Sequence, residues 1–413
     1  MTKASVAVVG AGIAGLAAAL ALSRAGHPVT LVERRTGFSE VGAGLQLSPN
    51  ASRILLDLGL GAALARRVTA PERVVIRDMA RGRTLAEMPL APAMEKRFGA
   101  PYWVIHRADL QTILLDAVRA RPDVRLVMGR AVDEVALAQD GVRLSLAREN
   151  GARETLAADI GIGADGVWSK TRRAVEGRSG DVPARYQGYV AWRATLPRTR
   201  APAPLAGDET GLWLGRRAHV VHYPIAGGAL VNIVCIVQRP EPVDGWATPG
   251  EARALLAALP GLAPDLRALL DAAGGWLLWS LHDRSAARMA RGRFALVGDA
   301  AHPVLPFLAQ GAALAVEDAA CLARRLASAQ EMGPQAARSA SPGGEDAIAS
   351  ALTAYAAARV PRALRVQKAA RSNGRVYHAG GPMALGRDLV LRSMGAGGMA
   401  ERYAWLYGWS DEA

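Results

Sequence analysis

The chain has 413 residues, 51% of them hydrophobic, with 44 glycines, 23 prolines and a formal net charge of +13. This excludes a disordered or collagen-like chain and leaves room for two or three structural units around a large core. Only Lys3, Lys96, Lys170 and Lys368 of the 50 basic residues are lysines, the arginines are spread along the chain, and no nucleic-acid-binding motif goes with them. The charge therefore reads as a solvated basic surface, with steering of anionic substrates and cofactors as the functional alternative. Cys235 and Cys321 each lie in an apolar run. Two such cysteines support neither a disulfide framework nor a metal site and fit buried thiols in a reducing cytoplasm.

From Ala4 to Leu22 there is no charge, which raises a membrane span or a secretion signal. The internal pattern argues otherwise. Ser5 to Val9 is a short apolar run of the buried parallel-strand kind. Gly10-x-Gly12-x-x-Gly15 follows, then an Ala/Leu-rich helical segment, then a second strand-like run, His27 to Val32, ending at Glu33. Gly10 permits the tight turn, Gly12 lets the backbone approach a pyrophosphate, and Gly15 lets the helix pack close to the sheet. The helix N-terminus offers free N–H groups to phosphate. Glu33, with Arg34 beside it, stands where an acidic ribose ligand is expected, which favours FAD or NAD at this cradle over NADP.

Further along, the stretch Val41 to Ala51 reads as a loop leading into a helix. Arg73 to Asp78 is strand-like, Asp109 to Arg121 helical, Val124 to Met128 a strand, and Val132 to Ala147 a hairpin split at Asp140-Gly141. Residues 184–240 are rich in strand patterns (YVAWRATL, HVVHYPI, ALVNIVCIV), and a Leu/Ala-rich helical stretch follows to about residue 273. Arg293 to Val297 is another buried strand, and Ala312 to Leu326 a helix. Residues 328–347 read as a surface loop. A long helix from Ala347 to Ser372 and a helical tail ending in RYAWLYGW complete the chain. Only the first glycine motif opens an Ala/Leu-rich helix that leads to a second strand ending in an acid, so only one nucleotide has a dedicated Rossmann cradle.

GADGVWSKTRR (Gly163 to Arg173) and GDAAHPVLPFLAQGAALAVEDAA (Gly298 to Ala320), taken with the first motif, resemble the single-component FAD-dependent aromatic hydroxylases, the group of salicylate and 3-hydroxybenzoate hydroxylases. The resemblance covers essentially the whole chain. It implies an α/β fold of the para-hydroxybenzoate hydroxylase kind: a Rossmann-like FAD-binding domain (1–71, 104–179 and 281–375), an inserted sheet-rich substrate domain (72–103 and 180–280), and C-terminal helices (376–413). It also implies an NAD(P)H-dependent flavoprotein monooxygenase in the cytoplasm, with FAD as cofactor, NADH or NADPH as reductant, O2 and a small aromatic acid as substrates, and no metal, nucleic acid or transmembrane segment. Its C-terminal helices are candidates for a homodimer interface.

The resemblance also suggests site roles. Asp299 would accept from a ribityl hydroxyl, Asp165 would serve FAD and the passing nicotinamide cofactor, and Arg107 would approach the FAD pyrophosphate or ribityl chain. Gly311 and Ala312 open a helix aimed at the flavin, where its N-terminus favours the anionic reduced state. His302, Glu317 and Asp318 read as structural. On the His219–Tyr223 strand, alternation places His219, Val221 and Tyr223 on one face and His222 on the other. In the hydroxybenzoate and hydroxynicotinate branch, a His and a Tyr at this spacing face the substrate. His219 has the intrinsic pKa to take a phenol proton; Gln310 would add a polar contact, and Arg193 is a candidate for the substrate carboxylate. The implied chemistry is hydroxylation through a flavin C4a-hydroperoxide. Salicylate, hydroxylated with loss of CO2, is the first expectation; 3-hydroxybenzoate 6-hydroxylation and 6-hydroxynicotinate 3-monooxygenation are the alternatives. A flavin-dependent dehydrogenase or oxidase is the more distant one.

Overall fold

A computed structural model describes residues 3–38, 43–245, 247–259, 261–331 and 346–411. Val6–Val9 forms an inner strand of a six-stranded sheet, ordered Ala290–Arg291, Phe294–Leu296, Ile160–Gly163, Val6–Val9, Val29–Val32, Val124–Val127. Its inner pairs are parallel: Val8 lies opposite Ile162 on one side and Leu31 on the other. All four residues of Val6–Val9 are buried. Ile13–Arg24 packs between this sheet and the helix Gly311–Glu331, and ten of its twelve residues are buried. The uncharged opening stretch is thus the inside of a parallel α/β layer, which explains its apolarity on every face. Among the described residues, no helix is long and apolar enough to cross a membrane.

An eight-stranded sheet is ordered Thr248–Pro249, Leu277–Asp283, Arg185–Pro197, Leu230–Gln238, Ala218–Ile225, Glu209–Gly215, Arg73–Asp78, Thr84–Pro89. Period-two alternation gives it two buried faces. On one, Val190, Trp192, Val220, Ile233 and Cys235 pack against Leu255, Leu266 and Leu269 of the helices Ala252–Ala258 and Pro264–Ala272. On the other, Ala191 and Ile236 meet Leu305, Phe307 and Ala370, while Leu212, Leu214 and Tyr223 join a cluster with Leu314 and Val366. This second face is the one turned toward the segment after Gly298.

The C-terminal helix Ala347–Tyr377 is capped by Asp346, whose carboxylate accepts from the Ile348 amide at 3.0 Å. It runs five residues past the expected Ser372, and this extension brings Tyr377 and His378 against the second face of the eight-stranded sheet. The helices Gly381–Arg402 and Ala404–Tyr407 follow. The aromatic tail folds back over buried arginines: Trp409 covers Arg359 at 4.7 Å and Trp405 covers Arg362 at 5.3 Å.

Two local expectations are corrected. The supposed loop from Val41 contains a strand, Gly44–Leu47, paired antiparallel with Trp103–His106, before the helix Pro49–Asp57. The hairpin Ala131–Leu137 with Val142–Ala147 gains a third strand, Arg153–Ala158. Both missed strands are short and half-exposed, so their apolar pattern is weak. Of the stretch read as a surface loop, residues 328–331 instead continue the helix Gly311–Glu331, and residues 332–345 lie outside the described residues.

Candidate active site

The three sequence fingerprints converge. Gly10 has a φ of +100°, and a side chain there would meet the Ala164 carbonyl at 2.6 Å, next to Asp165. A side chain on Gly15 would strike the Gly10 carbonyl at 1.7 Å, and one on Gly298 would meet Ala14 at 2.7 Å. Gly12 is different, because its missing side chain points into open space. Gly12 is the N-cap of Ile13–Arg24 and supplies no side-chain cap, which leaves the first amides for a ligand. Glu33 ties the turn together: one carboxylate oxygen accepts from the Ala11 amide at 2.8 Å and the other from the Arg35 amide at 3.0 Å. Arg34 is exposed beside it.

Asp299 is open to solvent, yet protein surrounds it, and its carboxylate makes no hydrogen bond within the described residues. Burial raises its pKa, against the pull of His302, Arg107 and Arg172. Arg107 begins the helix Arg107–Arg119, its amide donating to the Ala43 carbonyl at 2.9 Å. Asp165 faces inward. Its two oxygens accept from the Ser169 and Thr171 hydroxyls (2.6 and 2.7 Å) and the Lys170 and Thr171 amides (2.9 and 3.0 Å). Its direct contacts are therefore within its own loop. Arg172, which sequence reasoning missed, links that loop to the Asp299 turn by donating to the Val167, Asp299 and Ala300 carbonyls.

Behind the turn lies a buried charge network. Asp318 accepts from the Gly298 amide (2.8 Å) and Arg359 (2.7 Å) and meets His302 Nε2 at 2.6 Å. Burial alone would lower the His302 pKa, but the Asp318 charge and hydrogen bond outweigh it and the pKa is raised. Glu317 pairs with Arg359 and Arg362, each at 2.8 Å, and accepts from Asn50 at 2.6 Å. Gln310 belongs to the same network: its amide accepts from Asn50 at 3.0 Å and donates to Ser48 at 2.9 Å. Those bonds turn the Gln310 amide toward Ser48 and Asn50. Gly311 and Ala312 are half-buried at the start of their helix, which has no acidic residue in its first turn.

On the sheet, register places Ala191, Ile236 and His219 in one row, Arg193, Val234 and Val221 in the next, and Thr195, Asn232 and Tyr223 in the third. His219 and Tyr223 are therefore about 13 Å apart along the strand. His222 lies on the opposite face, over Gly211 and near Trp213. Tyr223 and Asn232 crowd Gly44, whose amide donates to Asn232 at 2.7 Å. Arg193 is half-buried over the Trp279 ring at 5.1 Å; its Nε is buried without a partner, and no acidic side chain pairs with it among the described residues. Burial lowers its pKa to about 10, with Arg107 adding to the effect and Tyr223 opposing it. His219 is 2% exposed, and its Nδ1 lies 2.7 Å from Nε2 of His378. Burial holds His219 well below its usual value. An apolar cavity of about 290 Å³ lies where Gly381–Arg402 meets the sheet; Tyr377 lines it and also touches the His219 ring.

A glycine cradle at a helix start, beside an acidic side chain with no hydrogen bond among the described residues, fits a nucleotide-binding fold. A family model described as "FAD binding domain" matches residues 3–340, and the chain belongs to that family, as a single-component FAD-dependent aromatic hydroxylase. It is 34% identical over 406 residues to 3-hydroxybenzoate 6-hydroxylase of Klebsiella oxytoca, covering 98% of this chain and 96% of the relative. It is 37% identical over 407 residues to 3-amino-4-hydroxybenzoate 2-monooxygenase PtnB3 of Streptomyces platensis, covering 98% and 95%. The structure titled a salicylate hydroxylase substrate complex superposes with a TM-score of 0.80 at 26% identity, covering 100% and 97%. FAD is the cofactor and NAD(P)H the reductant.

Proposed function

We propose that the chain hydroxylates a phenolic aromatic acid of the hydroxybenzoate kind, with 3-hydroxybenzoate, attacked para to its hydroxyl, ahead of salicylate. Arg193 carries this reading. A half-buried guanidinium whose Nε is buried without a partner, and which has no acidic partner among the described residues, is costly unless an anion arrives. A ring carboxylate would supply that anion, and the Asn232 Nδ2, also buried and unpartnered, would add a second donor. The ring would lie against the face that His219 and Tyr223 share, with its hydroxyl toward one of them. The relatives' names support the order of substrates, because 3-hydroxybenzoate and 3-amino-4-hydroxybenzoate stand in the names at 34% and 37% identity, whereas salicylate stands in that of the 26% match.

Residues present here fit FAD. Amides at Gly12–Ile13 and the Arg107 guanidinium would hold its phosphates, Glu33 the adenosine ribose, Asp299 the ribityl chain, and the Gly311–Ala312 helix start its pyrimidine end. Bound FAD supplies the oxygen-activating chemistry once NAD(P)H has reduced it. Arg193 orients the acid; Leu305 and Phe307 shield the reacting carbon from water. The Asp165 loop sits beside this cleft, where the passing nicotinamide would approach.

The test is aerobic NADH and NADPH oxidation by the FAD-loaded protein with 3-hydroxybenzoate, salicylate and 6-hydroxynicotinate in turn, with product masses recorded under labelled O2. One labelled oxygen added to 3-hydroxybenzoate supports the proposal. CO2 release from salicylate alone would overturn the order of substrates. His219→Ala should retain FAD but divert about 90% or more of the oxidised NADH to hydrogen peroxide, on the order of a hundredfold loss of product rate.

A further inference from the structure

We infer that His378 holds His219 as a hydrogen-bond donor, so that the substrate's ring oxygen meets an N–H and not a proton acceptor. The substrate's identity rests on the preceding proposal, but the tautomer is a property of the FAD-loaded protein alone.

The 2.7 Å contact between His219 Nδ1 and His378 Nε2 holds one proton. Both rings are buried, and burial lowers both pKa values, so the pair is neutral near pH 7. The titratable side chains facing it are Tyr189 and Tyr377. Arg217 donates its amide to the His378 carbonyl at 3.1 Å but turns its guanidinium to Gln238 at 3.2 Å.

The other nitrogen of His378 decides which ring donates. Its Nδ1 is buried without a partner. Were His219 the donor, His378 would have to carry its proton on Nδ1, an N–H aimed at no acceptor. With His378 donating from Nε2, only a lone pair is left unmatched, the milder loss in a protein interior. The His378 ring is well fixed: it ends the Ala347–Tyr377 helix, its amide donates to the Gly374 carbonyl at 3.2 Å, and Phe307 and Tyr189 meet it edge-on. His219 Nδ1 therefore accepts, and the His219 proton sits on Nε2, on the far side of the ring.

The consequence is specific. The phenol O–H breaks with its proton leaving to solvent, the phenolate oxygen accepts from His219 Nε2–H, and the pair neither gains nor loses a proton. His378 is thus a positioning residue for His219. Nitrogen-15 NMR of the seven histidines in FAD-loaded protein reads this directly, with His219 assigned by His219→Gln. Wild type should show His219 protonated on Nε2 and bare on Nδ1. His378→Gln should keep that pattern, because its amide N–H replaces the donor. His378→Phe should release it into a mixture and cut kcat for 3-hydroxybenzoate about tenfold with KM little changed. Nδ1–H on wild-type His219, or an unchanged tautomer in His378→Phe, overturns the inference. If His378→Phe loses FAD, wild type and His378→Gln decide. If no hydroxybenzoate is turned over, the substrate proposal falls and the tautomer result still stands.

Discussion

His302 and His219 are both buried, and each has one ring nitrogen engaged within 3 Å, yet their environments push them in opposite directions. His302 meets the carboxylate of Asp318, and its pKa is raised. His219 meets a second imidazole, and its pKa is held well below the usual value. The first region is a charged clasp behind the Gly298–Asp299 turn, with every strong acid matched by arginine or histidine. The second is a neutral pair on an apolar sheet, beside a cation that lacks an acid. A matched network fixes a backbone turn in one geometry, whereas an unmatched one leaves a demand that a ligand can meet.

The largest effect should come from breaking the clasp. Asp318→Ala removes the partner of both Arg359 and His302, and urea unfolding should show a loss of about 3–5 kcal/mol. A loss below about 1 kcal/mol would mean the network is not holding the turn. On the sheet the same kind of change should spare stability and hit binding. Arg193→Met removes a charge that burial disfavours, so its melting temperature should be unchanged or higher. Affinity for 3-hydroxybenzoate, read by flavin difference spectra, should fall by about 2 kcal/mol, roughly thirtyfold. Intact affinity would remove the carboxylate role. Asp299→Ala should weaken FAD binding about tenfold, the value of one hydrogen bond of about 1.4 kcal/mol. An unchanged FAD dissociation constant would count against that contact.

The smallest effect is also the sharpest comparison. His302 binds its proton more tightly folded than unfolded, so its contribution is complete below about pH 6.5 and fades as pH rises through the elevated folded pKa. His378 binds its proton less tightly folded, with its pKa lowered to about 4. Its neutral burial is therefore free of penalty above about pH 6.5, and stability falls as pH drops from there toward 4. His302→Gln should flatten the alkaline side of the stability profile, and His378→Phe the acid side. Equal slopes in both variants would contradict the opposite shifts.

Much of the first region could be read in the sequence. Gly10, Gly12 and Gly15 each have the environment their spacing predicts, because a strand, a tight turn and a helix joined in seven residues leave few geometries. Asp299 and the helix start at Gly311 were legible for the same local reason. Asp165 was less so: its spacing marked a turn, but only the folded loop shows both oxygens directed at Ser169, Lys170 and Thr171. Gln310 likewise stood in a recognisable motif, while its partners Ser48 and Asn50 lie some 260 residues away.

The sequence by itself determined the nucleotide cradle, the alternation that puts His219, Val221 and Tyr223 on one face, and the kinship with flavin hydroxylases. These follow from local rules of backbone and period. Tertiary structure alone decided that His378 reaches His219, that Arg172 joins two motifs, and that Arg193 has no acidic partner among the described residues. Each of those depends on which chain segments meet across the sheet, and a neighbour's charge, or its absence, is what turns a buried basic side chain into either a strut or a binding site.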